Sequence, residues 1–354
     1  MEQRAAVAEQ FVGPRAEEFP TSPLYRALRP VVVERPEILE MLEHRRPGQQ
    51  APYLLFGAVH HLLLTGAEHP LRAFFPSVVG DAARSPGTAG PALVDFCAAY
   101  RSELLELIRT RLVQTNSVRR AVGLRYALAV INEAVEQPVH LVEVGTSAGT
   151  LLHVDRYRYR LGGRGVGPPD ATVTIDSEWR GSAPSPDLGT MPVIASRTGI
   201  DLHPVDATDP GERAWLRALV WPENFADAGL LDAALAGLAA DPPRMLVGDG
   251  IDVCPELGRE LPAGEPRVVF HAATRMHVPL DRRAAFDRAI DSIGEHGPLF
   301  HVWLEPGHVP HDGDAPDDRP VLRLHGPDSG GTQPLVQIAG HGQWLAPLDA
   351  ALAP

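Results

Sequence analysis

The chain has no lysine. All 32 of its basic residues are arginine, and with alanine and proline abundant this reads as a coding bias with no function attached. Cysteine is nearly absent too. Cys97 and Cys254 are too few for a disulfide framework and lack the spacing of metal ligands. Cys97 falls in an amphipathic helical pattern, where a thiol serves as small apolar filler. No apolar stretch approaches the roughly 20 residues of a membrane span. The amino terminus is charged from Glu2 onward and has no apolar segment of a secretory leader. These absences predict a soluble, cytoplasmic protein without a membrane partner. No nucleophile elbow, helical zinc motif, P-loop or Cys–His signature occurs either, which weighs against hydrolase and kinase chemistry. There is no internal repeat.

What is present is an acidic, ordinary globular composition: 44% hydrophobic, 22% charged, net charge −13. The charge is uneven. Residues 1–130 carry 15 Arg against 13 acids, whereas 131–354 carry 17 Arg against 32 acids. An acidic body argues against nucleic acid as a partner, because phosphate binding needs a basic face. At 354 residues the chain has room for two domains.

Residues 1–135 read as a helical domain. Amphipathic stretches cover 51–65 and 91–112; in the second, Leu93, Phe96, Cys97, Tyr100, Leu104, Leu107 and Ile108 recur at helical spacing, and Pro91 suits a first turn. Residues 80–90, rich in Gly, Pro and Ser, form a loop. In 136–354 short β-rich runs alternate with helical patterns, which predicts βαβ units. Strands are expected at 139–144, 172–176, 245–248, 267–271 and 299–304, with helices at 230–240, 253–261 and 281–296. A polar loop then precedes paired runs at 321–325 and 335–339, an expected antiparallel hairpin. The expected fold is therefore α/β: a Rossmann-like, class I methyltransferase-type sheet of parallel strands with a terminal hairpin, behind an N-terminal helical lid or substrate domain.

The most informative stretch is Val139–Thr150, an apolar run ending in Glu143 and followed by a turn framed by Gly145 and Gly149. The residues after it, 151–159, are expected to continue as a helix. A strand, a glycine turn and a helix start form the place where a parallel sheet binds the polar part of a nucleotide-like cofactor. Ser147 replaces the central glycine of a dinucleotide fingerprint. The carboxylate at Glu143 repels a pyrophosphate but attracts an ammonium or ribose hydroxyls, so the pattern favours S-adenosylmethionine over NAD. Asp176 and Glu178 end the expected second strand, where a carboxylate accepts from ribose hydroxyls. Asp249 follows the third, placed for an adenine amino group, although an Asp before Gly also caps a helix. His271 ends the fourth strand and is the first candidate base.

Between expected strands two and three, Asp201, His203, Asp206 and Asp209 fall within nine residues. That density suits acid–base chemistry, with Asp206 the second candidate base and Asp201 beside it, or a hard cation. The plainer alternative is a turn and a helix beginning near Pro210 capped by Asp209. Asn116 and Arg119 either cap and solvate a helix start or face the pocket, Arg119 then binding a substrate carboxylate and His203 joining the substrate side. The run 308–318 has His and Asp but no metal-ligand spacing, so no metal is expected. His60 and His61 lie in an apolar helix, one of them facing the core.

Five stretches carry a resemblance: Leu141–Gly149, Asp155–Tyr159, Gly199–Asp209, Leu219–Glu223 and Gln114–Asn116. Together they make the chain, from about residue 20 to 345, similar to an uncharacterised bacterial domain-of-unknown-function family with a methyltransferase-like core. Leu151 and His203 stand where that family's pattern has Asn, and His277 where it has an aromatic, so a family activity would be altered at the expected pocket. The functional expectation is an S-adenosylmethionine-dependent methyltransferase acting on a small polar metabolite. The alternatives are a Rossmann-core enzyme of cyclisation or elimination that uses no methyl donor, and a non-catalytic partner subunit with a degenerate pocket. A protein partner or homo-oligomer is left open.

Overall fold

The computed structural model describes residues 2–12, 22–181, 186–305, 321–327 and 329–348. The run 308–318, weighed above as a metal site, lies outside the described residues. Two compact units divide the chain: Met1–Thr115 with Asp209–Gly229, and Asn116–Thr208 with Leu230–Pro354. Among the described residues no helix is long and apolar enough to cross a membrane.

The first unit is helical: α1 (Glu2–Val12), α2 (Pro23–Val33), α3 (Pro36–Leu42), α4 (Ala51–Leu64), α5 (Pro76–Val79), α6 (Gly90–Ala99), α7 (Arg101–Thr110), and α9 (Pro210–Ala218), which returns after the sheet begins. The single helix expected over 91–112 is two, because Tyr100 leaves helical geometry (φ −109°, ψ 29°) and stacks on Phe96. Helix α4 is apolar on nearly every side and buried accordingly. Its Gly57 admits Leu219 and Trp215, since a Cβ there would meet Leu219 Cδ2 at 2.8 Å. His60 is buried and lies 2.8 Å from the Ala218 carbonyl and 2.7 Å from Ser77 Oγ. Burial pushes its pKa down to about 3, so it is a neutral, packed core residue.

The second unit carries one mostly parallel sheet of eleven strands in the order β3-β2-β4-β11-β10-β9-β8-β7-β1-β5-β6. These are β1 (Val139–Val144), β2 (Arg158–Leu161), β3 (Arg164–Val166), β4 (Thr174–Trp179), β5 (Ile194–Asp201), β6 (Arg244–Val247), β7 (Arg267–Ala272), β8 (Leu299–Leu304), β9 (Val321–His325), β10 (Gln333–Ile338) and β11 (Trp344–Ala346). Strands β6, β5, β1, β7 and β8 run parallel side by side, and the order reverses between β1 and β7. On one face Val142, Val144, Ile200 and Val269 pack with α11 (Gly250–Glu260) and α12 (Arg283–Ser292). Helix α8 (Ala121–Ile131) contacts β8 and β9, and α10 (Phe225–Ala240) leads into β6.

The expected hairpin exists: β9 and β10 are antiparallel, and β9 is antiparallel to β8. It does not end the sheet. β11 pairs onward with β4, which pairs with β2. This relocates the expected second strand. β4 sits six places from β1 in the sheet, and the neighbour of β1 is β5, whose sequence IASRTGID has too few apolar residues to stand out. The helix expected over 151–159 is a seven-residue 3₁₀ turn, Thr150–Arg156, kinked at His153. The chain is already strand by Arg158. The Tyr157 and Tyr159 hydroxyls donate to the Thr150 and Val154 carbonyls, which ties the turn back on itself.

Candidate functional site

Four carboxyl ends converge where the strand order reverses: β1 at Val144, next to Glu143, β5 at Asp201, β7 at Ala272 and β8 just before Glu305. The turn after β1 has positive φ at Gly145 (78°), Ser147 (51°) and Gly149 (82°). Serine there is strained, and two braces hold it. The Ser147 amide donates to Asp201 Oδ2 at 2.8 Å, and the Asn116 amide donates to Ser147 Oγ at 3.0 Å. Asn116 Oδ1 also accepts from the Ala148 amide. Asn116, expected either as a helix cap or at the pocket, thus braces the turn from within the same unit. Asp201 also receives the His203 amide at 2.9 Å. Within the turn only Gly145 is exposed; Thr146, Ser147, Ala148 and Gly149 are buried. A Cβ on Gly145 would overlap the Thr274 side chain, so Thr274 and Gly145 meet at this point.

Glu143 lies beneath the turn, 4% exposed. Its register partner on β5 is Gly199, where a Cβ would stand 2.6 Å from Thr146 Cγ2. The missing side chain lets Thr146 fold over, and its hydroxyl donates to Glu143 Oε2 at 2.8 Å. Burial pushes the Glu143 carboxyl up to about 8; the Thr146 bond and Arg120 oppose this and the Asp201 charge adds to it. Near neutral pH Glu143 therefore carries a proton. Arg120, buried at the start of α8, donates from Nε to the Gly340 carbonyl at 2.8 Å. Burial lowers its pKa, while the charge of Glu305, and that of Glu143 once it ionises, support its protonation.

His271 and Glu305 form the other half. Both are buried, and His271 Nδ1 lies 2.8 Å from Glu305 Oε1. Glu305 Oε1 also accepts from the Thr274 and Arg275 amides at 2.9 Å, and Oε2 from Met276 at 3.2 Å. Burial would raise the Glu305 carboxyl, but the hydrogen bond and charge interaction with His271 and the Arg275 and Thr274 amides outweigh it and hold the carboxyl below its usual range. A carboxylate only accepts, so Nδ1 of His271 carries the hydrogen of this bond. Phe286 meets the imidazole edge-to-face and His301 lies tilted beside it.

The remaining sequence candidates scatter. Asp176 and Glu178 stand exposed on β4, paired with Arg160 and Arg180, and β4 does not flank β1. The acid ending the strand beside β1 is Asp201. Arg119 donates to the Asp176 carbonyl at 2.7 Å. Asp249 ends the turn after β6, caps α11 through the Ile251 amide and pairs with Arg282 at 2.9 Å. Asp206 is exposed, and its Oδ1 receives the Thr208 amide and hydroxyl, which lower its pKa. Asp209 caps α9 through the Gly211 and Glu212 amides. His203 and His277 are exposed, and Leu151 is buried in the 3₁₀ turn. Among the described residues no three His, Cys, Asp or Glu side chains gather as metal ligands.

Sequence reading missed Glu305, Thr274 and Arg120. Glu305 carried a legible signal, since it follows the apolar run of β8 as Glu143 ends that of β1. At the other end of the strands, a cleft of about 690 Å³ is lined by Val130, Ile131, Pro266, Pro298, Phe300 and Gln333. It holds none of these groups.

No curated protein and no solved structure matches the chain. A family model does, over residues 12–346. The chain belongs to that family, DUF2332, described as an uncharacterised protein conserved in bacteria.

Proposed function

We propose that the protein is an S-adenosylmethionine-dependent, methyltransferase-like enzyme acting on a small polar metabolite. One observation carries this. Numbered along the chain, β1, β5, β6, β7 and β8 stand in the doubly wound order 3-2-1-4-5, and carboxyl groups at Glu143, Asp201 and Asp249 mark the ends of the first three. Sheets of this order bind ligands at the carboxyl ends of the strands, where the order reverses. The exposed Gly145 is at that point.

The residues present fit the cofactor. Leu202 and Val247 are exposed apolar side chains, 59% and 75%, and Val247 is the register partner of Asp201. An apolar surface beside an acid suits an adenosine: Asp201 for ribose hydroxyls and Asp249 for the adenine amino group, with the buried, neutral Glu143 bracing the turn from below through Thr146. Bound there, the cofactor supplies an electrophilic methyl group. The chain supplies position and, for an oxygen or nitrogen acceptor, a base. Glu305 orients the buried His271 imidazole, the first candidate base, through its Nδ1 hydrogen.

The raised Glu143 favours a second reading. A buried neutral acid beside the Asp201 charge is how two carboxyls divide acid and base roles, which suits cyclisation or elimination with no methyl donor. Calorimetry with S-adenosylmethionine, S-adenosylhomocysteine and NAD separates the two. On the first reading the adenosyl ligands bind, and at ~100 times the dissociation constant they add about 2.7 kcal/mol of stability. Gly145→Val should abolish that gain. Absence of heat and of thermal shift with both adenosyl ligands would leave the acid–base reading.

A further inference from the structure

The loop after β7 is held more firmly than packing alone requires. Ala273 has φ 53°, a conformation unfavourable to any residue with a Cβ. Its amide donates to the Leu304 carbonyl at 2.9 Å, and the next three amides, of Thr274, Arg275 and Met276, all donate to Glu305. Arg275 is buried and meets Asp287 on α12 with two bonds, Nε to Oδ1 at 2.8 Å and a terminal nitrogen to Oδ2 at 2.7 Å. A strained residue is thus fixed from β8, from a buried carboxylate and from a helix. What those anchors place is the Thr274 side chain, against Gly145 at the open point of the turn. Its hydroxyl makes one hydrogen bond among the described residues, a long one of 3.4 Å to the Ala272 carbonyl. That bond is weak, so the hydroxyl has donor and acceptor capacity to offer.

We propose that Thr274 is a ligand-contact residue of the crevice at the β1–β7 reversal, and that Glu305 is the positioning residue that presents it. The ligand is one with a hydrogen-bonding group above Gly145; the adenosyl ligands of the proposed function are the probes, and to that extent the inference rests on that function. Strain at Ala273 is the signature of such a device. Backbone strain persists where surrounding structure over-determines it, and rigid outer contacts are what hold a contacting group to its geometry.

The test first uses no ligand. Cys97 and Cys254 are 3% and 0% exposed, and burial pushes both thiols up to about 12, so the native protein reacts poorly with iodoacetamide. Thr274→Cys should react at least about tenfold faster than the native protein while keeping the native melting temperature. Glu305→Gln in that background should change the rate with little change in melting temperature, because a side-chain oxygen can still receive three of the four donors; a merely structural Glu305 would move both or neither. A Thr274→Cys variant no more reactive than the native protein overturns the proposal. So does one that does not reach the native melting temperature, since the thiol is close in size to the hydroxyl it replaces at this half-buried position.

S-adenosylhomocysteine is then added. If it binds the native protein, it should protect the introduced thiol of Thr274→Cys, and Thr274→Val should weaken it roughly three- to tenfold while Thr274→Ser does not. Binding without protection overturns the proposal. If it does not bind the native protein, the methyltransferase reading falls, and the labelling rates alone decide the role of Thr274 and Glu305.

Discussion

Two pairs of carboxyl groups in this molecule differ in every physical respect. Glu143 and Glu305 are each 4% exposed and stand singly at strand ends. Asp206 and Asp209 are exposed and crowd one short segment. The buried pair gathers groups remote in the chain: Arg120 and Asp201 around Glu143, His271 and three amides about 30 residues away around Glu305. The exposed pair bonds within three residues of itself, to Thr208, Gly211 and Glu212. Crowding of acids along a sequence therefore reports turns and caps. The capacity to hold or move a proton follows from burial at the end of a strand, which a single acid achieves and which clustering does not signal.

The sharpest way to break this contrast is to truncate one of the buried acids. Glu305→Ala removes the acceptor for His271 and three amides and leaves Arg120 without one of its charges, so a loss of roughly 3–5 kcal/mol is expected in denaturant unfolding. A loss under about 1 kcal/mol would place Glu305 with the surface acids. The second effect is one of pH. Glu143 titrates near 8 when folded against 4.5 ordinarily, so the folded state binds the extra proton in between. Its contribution is fully present below the ordinary value and is lost as pH rises through about 8. Glu143→Gln keeps a neutral side chain at every pH. The variant should thus match the native protein near pH 5 and exceed it by a few kcal/mol near pH 9. Parallel stability curves would show that Glu143 is not the neutral acid described.

The same contrast explains what is legible in the chain by itself. β1, β7 and β8 are legible because strands buried on both faces are continuous apolar runs. β5 is not, since Ser196, Arg197, Thr198 and Gly199 interrupt it; Gly199 is required by Thr146, and Arg197 reaches Asp155 and the Leu152 carbonyl. With β5 hidden, the apolar run of β4 fills its place in the sequence pattern, and Asp176 and Glu178 pass for the acids at its end. The turn Gly145–Gly149 is legible from its glycines, but the strained Ser147 is not, because Asp201 and Asn116 hold it from outside the motif. Thr274 has no sequence signal at all. Its importance comes from Gly145 opposite and from Glu305 behind.

A middle-sized effect tests the capping role. Asp209 accepts the Gly211 and Glu212 amides at 2.6 and 3.0 Å at the start of α9, with Pro210 in the first turn. Asp209→Ala should cost about 1 kcal/mol, and Asp209→Ser should restore most of it. Failure of serine to restore stability would mean that the carboxylate does more than cap.

The smallest expected effect is at Asp206, which sequence density makes a candidate base. Its Oδ1 receives both the Thr208 amide at 2.8 Å and the Thr208 hydroxyl at 2.7 Å, an Asx turn whose donors lower its pKa. A lowered pKa makes it a poorer base, and exposure denies it the shielding that strengthens electrostatics in a closed site. Asn keeps the same acceptor oxygen, so Asp206→Asn should stay within about 0.5 kcal/mol of the native stability. Once a substrate is in hand, its turnover should fall less than tenfold, against the ~10²–10⁴ loss expected for a positioned acid or base. A collapse in turnover at unchanged melting temperature would reverse the comparison and put the exposed carboxylate in the chemistry.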